Sequence, residues 1–303
     1  MLKNVVDTYL GTRRAAGFKL KDDAFYLENF ARYATILGDT HIKSQTTIDW
    51  ARQARSESQR ATRLKMVIRL ALFSSAADNR HDVPPSGVFC FKRHRPIPYL
   101  YSDAEVQALM VAAAGLGPDG EFRALMYRTL IGLLASTGMR ISEALDLCFE
   151  DIMADGLLIR DTKFRKTRIV PLHPTTGKAL QAYLVERGKI AATEDHIFVS
   201  ALRKQVRRPA VYATFKKLLK TAGVPRQPGL PRPRLMDFRH TFASNALAGG
   251  PDRRDQVGRH TLALSTYLGH ASPNSTFWYF ESTLPLLAGI AQACDVFVEG
   301  AKS

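Results

Sequence analysis

The stretch DVPPSGVFCFKRHRPIPYLYSDAEV, residues 82–106, parts the 303-residue chain in two. Pro84, Pro85, Pro96 and Pro98 lack backbone donors and fix φ, so no helix runs through it, and Gly87 adds a further break. Lys92, Arg93 and Arg95 between the prolines make the segment a basic linker. Ser102, with Glu105 three residues on, then supplies a capping box that opens a new helix. The expected organisation is an N-terminal domain over residues 1–90, a linker over 91–101 and a second domain over 102–303.

Upstream of the break, residues 1 to 77 read as helices without a strand signal. TTIDWARQARSESQRATRLKMVIRLALFSS (46–75) sets an apolar face of Trp50, Leu64, Val67, Ile68 and Leu72 against Arg52, Arg55, Arg60, Arg63, Lys65 and Arg69. One face is expected to pack and the other to be cationic.

Composition says what such a cationic face is for. At 46% hydrophobic and 23% charged residues, the chain can bury a core in each domain. Lys and Arg outnumber Asp and Glu by 43 to 28, giving a formal net charge of +15 and a pI near 9.9. Residues 1–90 carry +5 of that charge and the rest of the chain +10. So large an excess calls for a polyanionic partner, of which nucleic acid is the commonest. No apolar run reaches the roughly 18 residues of a membrane span, and MLKNVVDTYLGTRRAAGFKL at the start lacks a signal-peptide core. A soluble intracellular protein without a membrane partner is expected. Cys90, Cys148 and Cys294 are odd in number and scattered, so neither a metal site nor a disulfide framework is signalled.

Downstream, EFRALMYRTLIGLLASTG (121–138) reads as an apolar helix stopped by Gly138, and GLLIRDTKFRKTRIVPL (156–172) as two short strands around a basic turn. RKQVRRPAVYATFKKLLKTAG (203–223) holds a basic amphipathic helix, VPRQPGLPRPR (224–234) a loop, and DFRHTFASNALAG (237–249) a helix capped by Asp237. STYLGHASPNSTFWYFES (265–282) ends a helix at Gly269 and begins another at Ser272 and Pro273.

Cations sit in unusual settings here. Arg140 stands at a helix start, where a guanidinium and backbone N–H groups can grip one phosphate. Lys163 and Lys166 occupy the hairpin turn, and Arg239 is placed in a first helical turn. His270 precedes Tyr279 by nine residues. These side chains suit in-line attack on a phosphodiester without metal: arginines to neutralise the non-bridging oxygens, tyrosine as nucleophile, lysine to protonate the departing oxygen and histidine to assist.

In this order the residues resemble the tyrosine recombinase (phage integrase) family, which shares its active site with type IB topoisomerases. TGMRISEAL (137–145) is similar to the family's first arginine box, with Arg140 and Glu143. TKFRKTRIVPL (162–172) is similar to its β-hairpin lysine motif and points to Lys163 rather than Lys166. MDFRHTFA (236–243) is similar to the second box, with Arg239, while YLGH (267–270) supplies His270 and Tyr279 stands as the nucleophile. One departure is Met236, where the family usually holds His or Lys; a thioether donates no hydrogen bond, so one phosphate contact is lost.

The resemblance implies a mainly α fold with a small β-sheet: an N-terminal helical core-binding domain and a C-terminal mixed α/β catalytic domain closing on double-stranded DNA. It implies a 3′-phosphotyrosyl intermediate, no cofactor, metal or ATP, and a homotetramer on two DNA sites, acting alone or with sister recombinases. The place of action would be the cytoplasm and nucleoid of a bacterial or phage host. Further DNA contacts are expected at Arg52, Arg55, Arg63, Lys92, Arg93, Arg95, Lys166, Arg207 and Arg208. The tail LPLLAGIAQACDVF (284–297) is a candidate helix for docking on a neighbour. Two alternatives stand beside this: a DNA-binding member that has lost chemistry, with Met236 as its first symptom, and a topoisomerase-like or resolving enzyme.

Overall fold

The computed structural model describes residues 2–89, 97–117, 121–160, 167–191, 194–200, 202–224, 231–249, 254–270, 276 and 279. The chain divides into two compact units, Met1–Arg95 and Pro96–Ser303.

The first unit is built from α1 (Leu2–Ala15), α2 (Lys21–Ile36), α3 (Ser44–Arg52) and α4 (Glu57–Ser75). Ser56 starts α4 by accepting the Gln59 amide on its Oγ at 3.3 Å, so residues 46–75 form two helices rather than one. Leu27, Phe30, Trp50, Val67 and Leu70 fill the core, with Phe30 edge-on to Trp50 at 5.3 Å. Leu72 is not part of it. At about 100° per residue it points away from the stripe of Met66, Val67, Leu70 and Ser74, and it is 57% exposed.

The second unit is mainly helical, with one small sheet. Its elements are α5 (Asp103–Ala114), α6 (Glu121–Thr137), α7 (Ile141–Leu145), β1 (Ile152–Met153), β2 (Gly156–Ile159), β3 (Arg168–Val170), α8 (Pro174–Gly188), α9 (Arg208–Thr221), α10 (Leu235–Ala248) and α11 (Arg254–Leu268). The strands run antiparallel in the order β1-β2-β3, pairing Ile152 with Leu157 and Leu157 with Val170. The expected capping box forms at α5: Ser102 Oγ accepts the Glu105 amide at 3.3 Å and Glu105 accepts the Ser102 amide at 2.9 Å. Leu109, Leu130, Leu134, Leu157, Tyr183 and Phe238 belong to one core.

Two details set the geometry of the expected site, the second of them differing from expectation. Gly138 ends α6 with φ at +60°, and a Cβ there would lie 2.5 Å from the Phe242 ring, so only glycine fits. The helix holding Arg239 starts earlier than expected. Arg234 caps α10, and Asp237 is its third residue, reaching back to accept the Arg234 amide at 2.7 Å. Arg239 therefore lies in the second helical turn, not the first.

Candidate active site

The site is organised around the end of α11. Gly269 turns the chain with φ at +65°, and the amides of Gly269 and His270 donate to the carbonyls of Thr266 (2.9 Å) and Ser265 (3.0 Å). This is a Schellman closure. The following carbonyls have no helical donors of their own. Arg168 Nε donates to Tyr267 O at 2.7 Å, Arg239 Nη2 to Leu268 O at 2.6 Å, and Arg140 Nη2 to Gly269 O at 3.3 Å. Three guanidiniums thus meet three successive carbonyls at the negative end of one helix.

Glu143 on α7 joins two of the three. Its Oε1 accepts Arg140 Nη1 at 2.6 Å and Arg168 Nη1 at 3.2 Å, and its Oε2 accepts the Arg140 amide at 2.9 Å and Arg168 Nη2 at 2.8 Å. Burial alone would raise this carboxyl. Hydrogen bonds from Arg168 and the Arg140 amide, with both guanidinium charges, hold it below the ordinary carboxylate range instead.

Arg239, 3% exposed, also donates from Nη1 to Gly138 O at 3.0 Å. Burial, then the Arg140 charge, pushes it down to about 10, so it remains a cation at neutral pH. Its two carbonyl contacts fix the guanidinium plane and use two of its five donors.

His270 follows the turn, with Nδ1 2.7 Å from Thr276 Oγ1. Burial and then Arg239, Arg140 and Arg168 push it down to about 4, leaving the imidazole neutral at pH 7. Tyr279, 3% exposed, packs with Ala243, Leu247, Leu264 and Leu268. Its ring centroid is 6.0 Å from His270, near-parallel, and 5.5 Å from His240. His240 is likewise lowered to about 4, by burial first and then by Arg234 and Arg239.

The structure thus brings Arg140, Arg239, His270 and Tyr279 to one place. Lys163 and Lys166 lie outside the described residues, as do Lys92, Arg93, Arg95 and the 284–297 tail. Met236 sits in the first turn of α10, 39% exposed. Arg52 is exposed and paired with Asp49 at 2.9 Å, while Arg55, Arg207 and Arg208 are exposed. Arg63 faces inward instead: Nη1 donates to Trp50 O at 3.2 Å and the guanidinium lies 5.0 Å from the indole centroid. Among the described residues, no helix is long and apolar enough to cross a membrane.

Sequence reasoning missed Arg168, Thr276 and the nearness of His240 to Tyr279. For Arg168 a signal existed: a charged residue opening a strand whose last residue, Val170, is buried. Nothing in the sequence marks its backbone partner.

Arginines, a histidine and a buried phenol gathered around one point can chemically hold an oxyanion beside a hydroxyl. Residues 100–284 match the phage integrase family. The chain belongs to this family of tyrosine recombinases, enzymes that cleave and rejoin DNA. It is 35% identical over 295 residues to an inferred integrase/recombinase of Sinorhizobium fredii, covering 94% of each chain. It is 30% identical over 196 residues to the tyrosine recombinase XerD of Halalkalibacterium halodurans, covering 63% of this chain and 60% of that one. The Tn1549 transposon integrase, solved in complex with transposon right end DNA, shares the fold at a TM-score of 0.65 and 16% identity, covering 95% of this chain and 98% of that one.

Proposed function

We propose that the chain is a site-specific DNA recombinase that cuts and rejoins DNA through a covalent link to Tyr279. The observation that carries this is the buried Tyr279 phenol, its ring between His240 and His270, whose imidazoles burial keeps neutral, next to the arginine set at the end of α11. Arg140 and Arg239 take the non-bridging oxygens of the scissile phosphate. The Tyr279 oxygen attacks phosphorus, a P–O(Tyr) bond forms, and the bond to the 5′-oxygen breaks. The phenol proton leaves to solvent and Lys163 protonates the departing 5′-oxygen. In the tautomer whose Nδ1 accepts from the Thr276 hydroxyl 2.7 Å away, His270 carries its proton on Nε2 and donates it to the phosphate.

The product is a 3′-phosphotyrosyl link and a free 5′-hydroxyl. Attack by the 5′-hydroxyl of a partner strand reverses the step, so one phosphoester replaces another and no ATP is consumed. Residues 1–90 and the basic linker clamp double-stranded DNA, with Arg52 and Arg55 among the exposed cations available to phosphates. Four protomers act on two sites, alone or with sister recombinases, on DNA in the cytoplasm. A λ integrase tetramer bound to a Holliday junction is an assembly of that kind in a protein of the same fold.

The test uses nicked duplexes tiled across the DNA flanking the gene, supplied singly and in pairs. A recombinase gives a covalent protein–DNA adduct and, with paired sites, exchanged strands. Binding without an adduct would mean a member that has lost chemistry. Adduct and relaxation without exchange would mean a topoisomerase-like enzyme.

A further inference from the structure

Arg168, on β3, contacts the end of α11 but has no part in the proposed reaction. We propose that Arg168 is a positioning residue, which sets the Arg140 and Arg239 guanidiniums and His270 in register by holding the last turn of α11 against Glu143. This rests on the proposed reaction.

Five successive carbonyls at that helix end have donors: Ser265 and Thr266 from the Schellman amides, and Tyr267, Leu268 and Gly269 from Arg168, Arg239 and Arg140. Arg140 and Arg239 each spend donors on this backbone, so the place of the backbone sets where their other donors point. Arg140 also links that backbone to Glu143, through Nη2 at 3.3 Å and Nη1 at 2.6 Å, but Arg168 makes the tighter tie, with Nε at 2.7 Å on one side and both terminal nitrogens on the other. The pair is well buried, with side-chain exposures of 9% for Arg168 and 6% for Glu143. Only a planar fork serves three acceptors in this way; a lysine ammonium has neither the plane nor the spread. Gly269 fits the same arrangement, since a Cβ there would lie 2.9 Å from Arg168 Nη1. The glycine that turns the chain toward His270 is also the floor on which the Arg168 guanidinium rests.

The experiment measures single-turnover cleavage of a nicked duplex from the flanking DNA by the full chain, wild type, Arg168→Lys and Arg168→Gln. Lysine keeps the charge against Glu143, and glutamine keeps a donor without it. At saturating DNA the cleavage rate constant should fall by about 100-fold in Arg168→Lys, as for a misplacement of about 1 Å. The amplitude should stay full and DNA affinity should hold within a few-fold. A bridging sulfur at the 5′ position should not restore the rate, because the defect lies with the non-bridging oxygens and not the leaving group.

A wild-type rate constant in Arg168→Lys would overturn the proposal. So would a reduced amplitude at an unchanged rate constant, rescue by the bridging sulfur, or melting of both variants below the assay temperature, which would make Arg168 a residue of the fold alone. No adduct from the wild type, or one that survives Tyr279→Phe, would instead overturn the reaction itself. That result is read before any Arg168 variant.

Discussion

Met236 stands one helical turn before Arg239 on α10, 39% exposed, at the position where the family resemblance would place a histidine or lysine. If the phosphate lies against Arg140 and Arg239, Met236→His adds a donor to charge that develops in the transition state. Cleavage of a suicide substrate should then speed up, by up to about 100-fold for a fully formed donor, while DNA affinity changes little. Slower cleavage by a folded Met236→His chain would mean that the thioether packs where the phosphate has been placed. At this scale the sequence was informative about residue types and poor about partners. Arg140, Arg239, His270 and Tyr279 stand in recognisable strings, and all four meet. Arg168 escaped because it binds a backbone carbonyl and the Glu143 carboxylate already placed beside Arg140, and carbonyls leave no mark in a sequence. His240 follows Arg239 directly, and neighbours on a helix point about 100° apart, so their spacing gives no sign that both face one group. Tyr279 is large enough to lie near both Arg239 and His240.

Gly138 shows how much of the site is set by element boundaries. It stops α6 in a left-handed conformation, places Arg140 at the start of α7, and offers its carbonyl to Arg239. Gly138→Ala should destabilise the chain by at least about 1–2 kcal/mol from the left-handed backbone alone, with a further cost from the Phe242 ring that a Cβ would strike. Urea unfolding of the variant at an unchanged midpoint would show that the loop relaxes freely and that the boundary is not rigid. Strong local signals carried this level: the Ser102 and Glu105 box, the glycine stop and the strand pair all appear as expected. Weak ones failed. β1 has two residues, too few for any periodicity, and Asp237 looked like a cap because the side chain that caps from the third position is the same type that caps from the first.

For the whole molecule, charge is the property that sequence states most directly, and +15 spread over both units is a property no fold can hide. Binding to the flanking DNA should weaken by about 1,000-fold or more between about 50 and about 200 mM salt if the clamp neutralises about six phosphates. Affinity nearly independent of salt would rule out contacts that track the backbone. Arg63 tempers the count of cations available for this, since it packs on Trp50 inside its own unit. The central claim is the covalent link, and one measurement addresses it directly. The wild-type chain and Tyr279→Phe are reacted with the same nicked duplexes, and the adduct is digested and its peptide sequenced by mass spectrometry. The account predicts a nucleotide 3′-phosphate on Tyr279 and no adduct from Tyr279→Phe, whose DNA affinity stays within a few-fold of wild type. A 5′-phosphate on the peptide, attachment at Tyr267 or any other residue, or an undiminished adduct from Tyr279→Phe would contradict it.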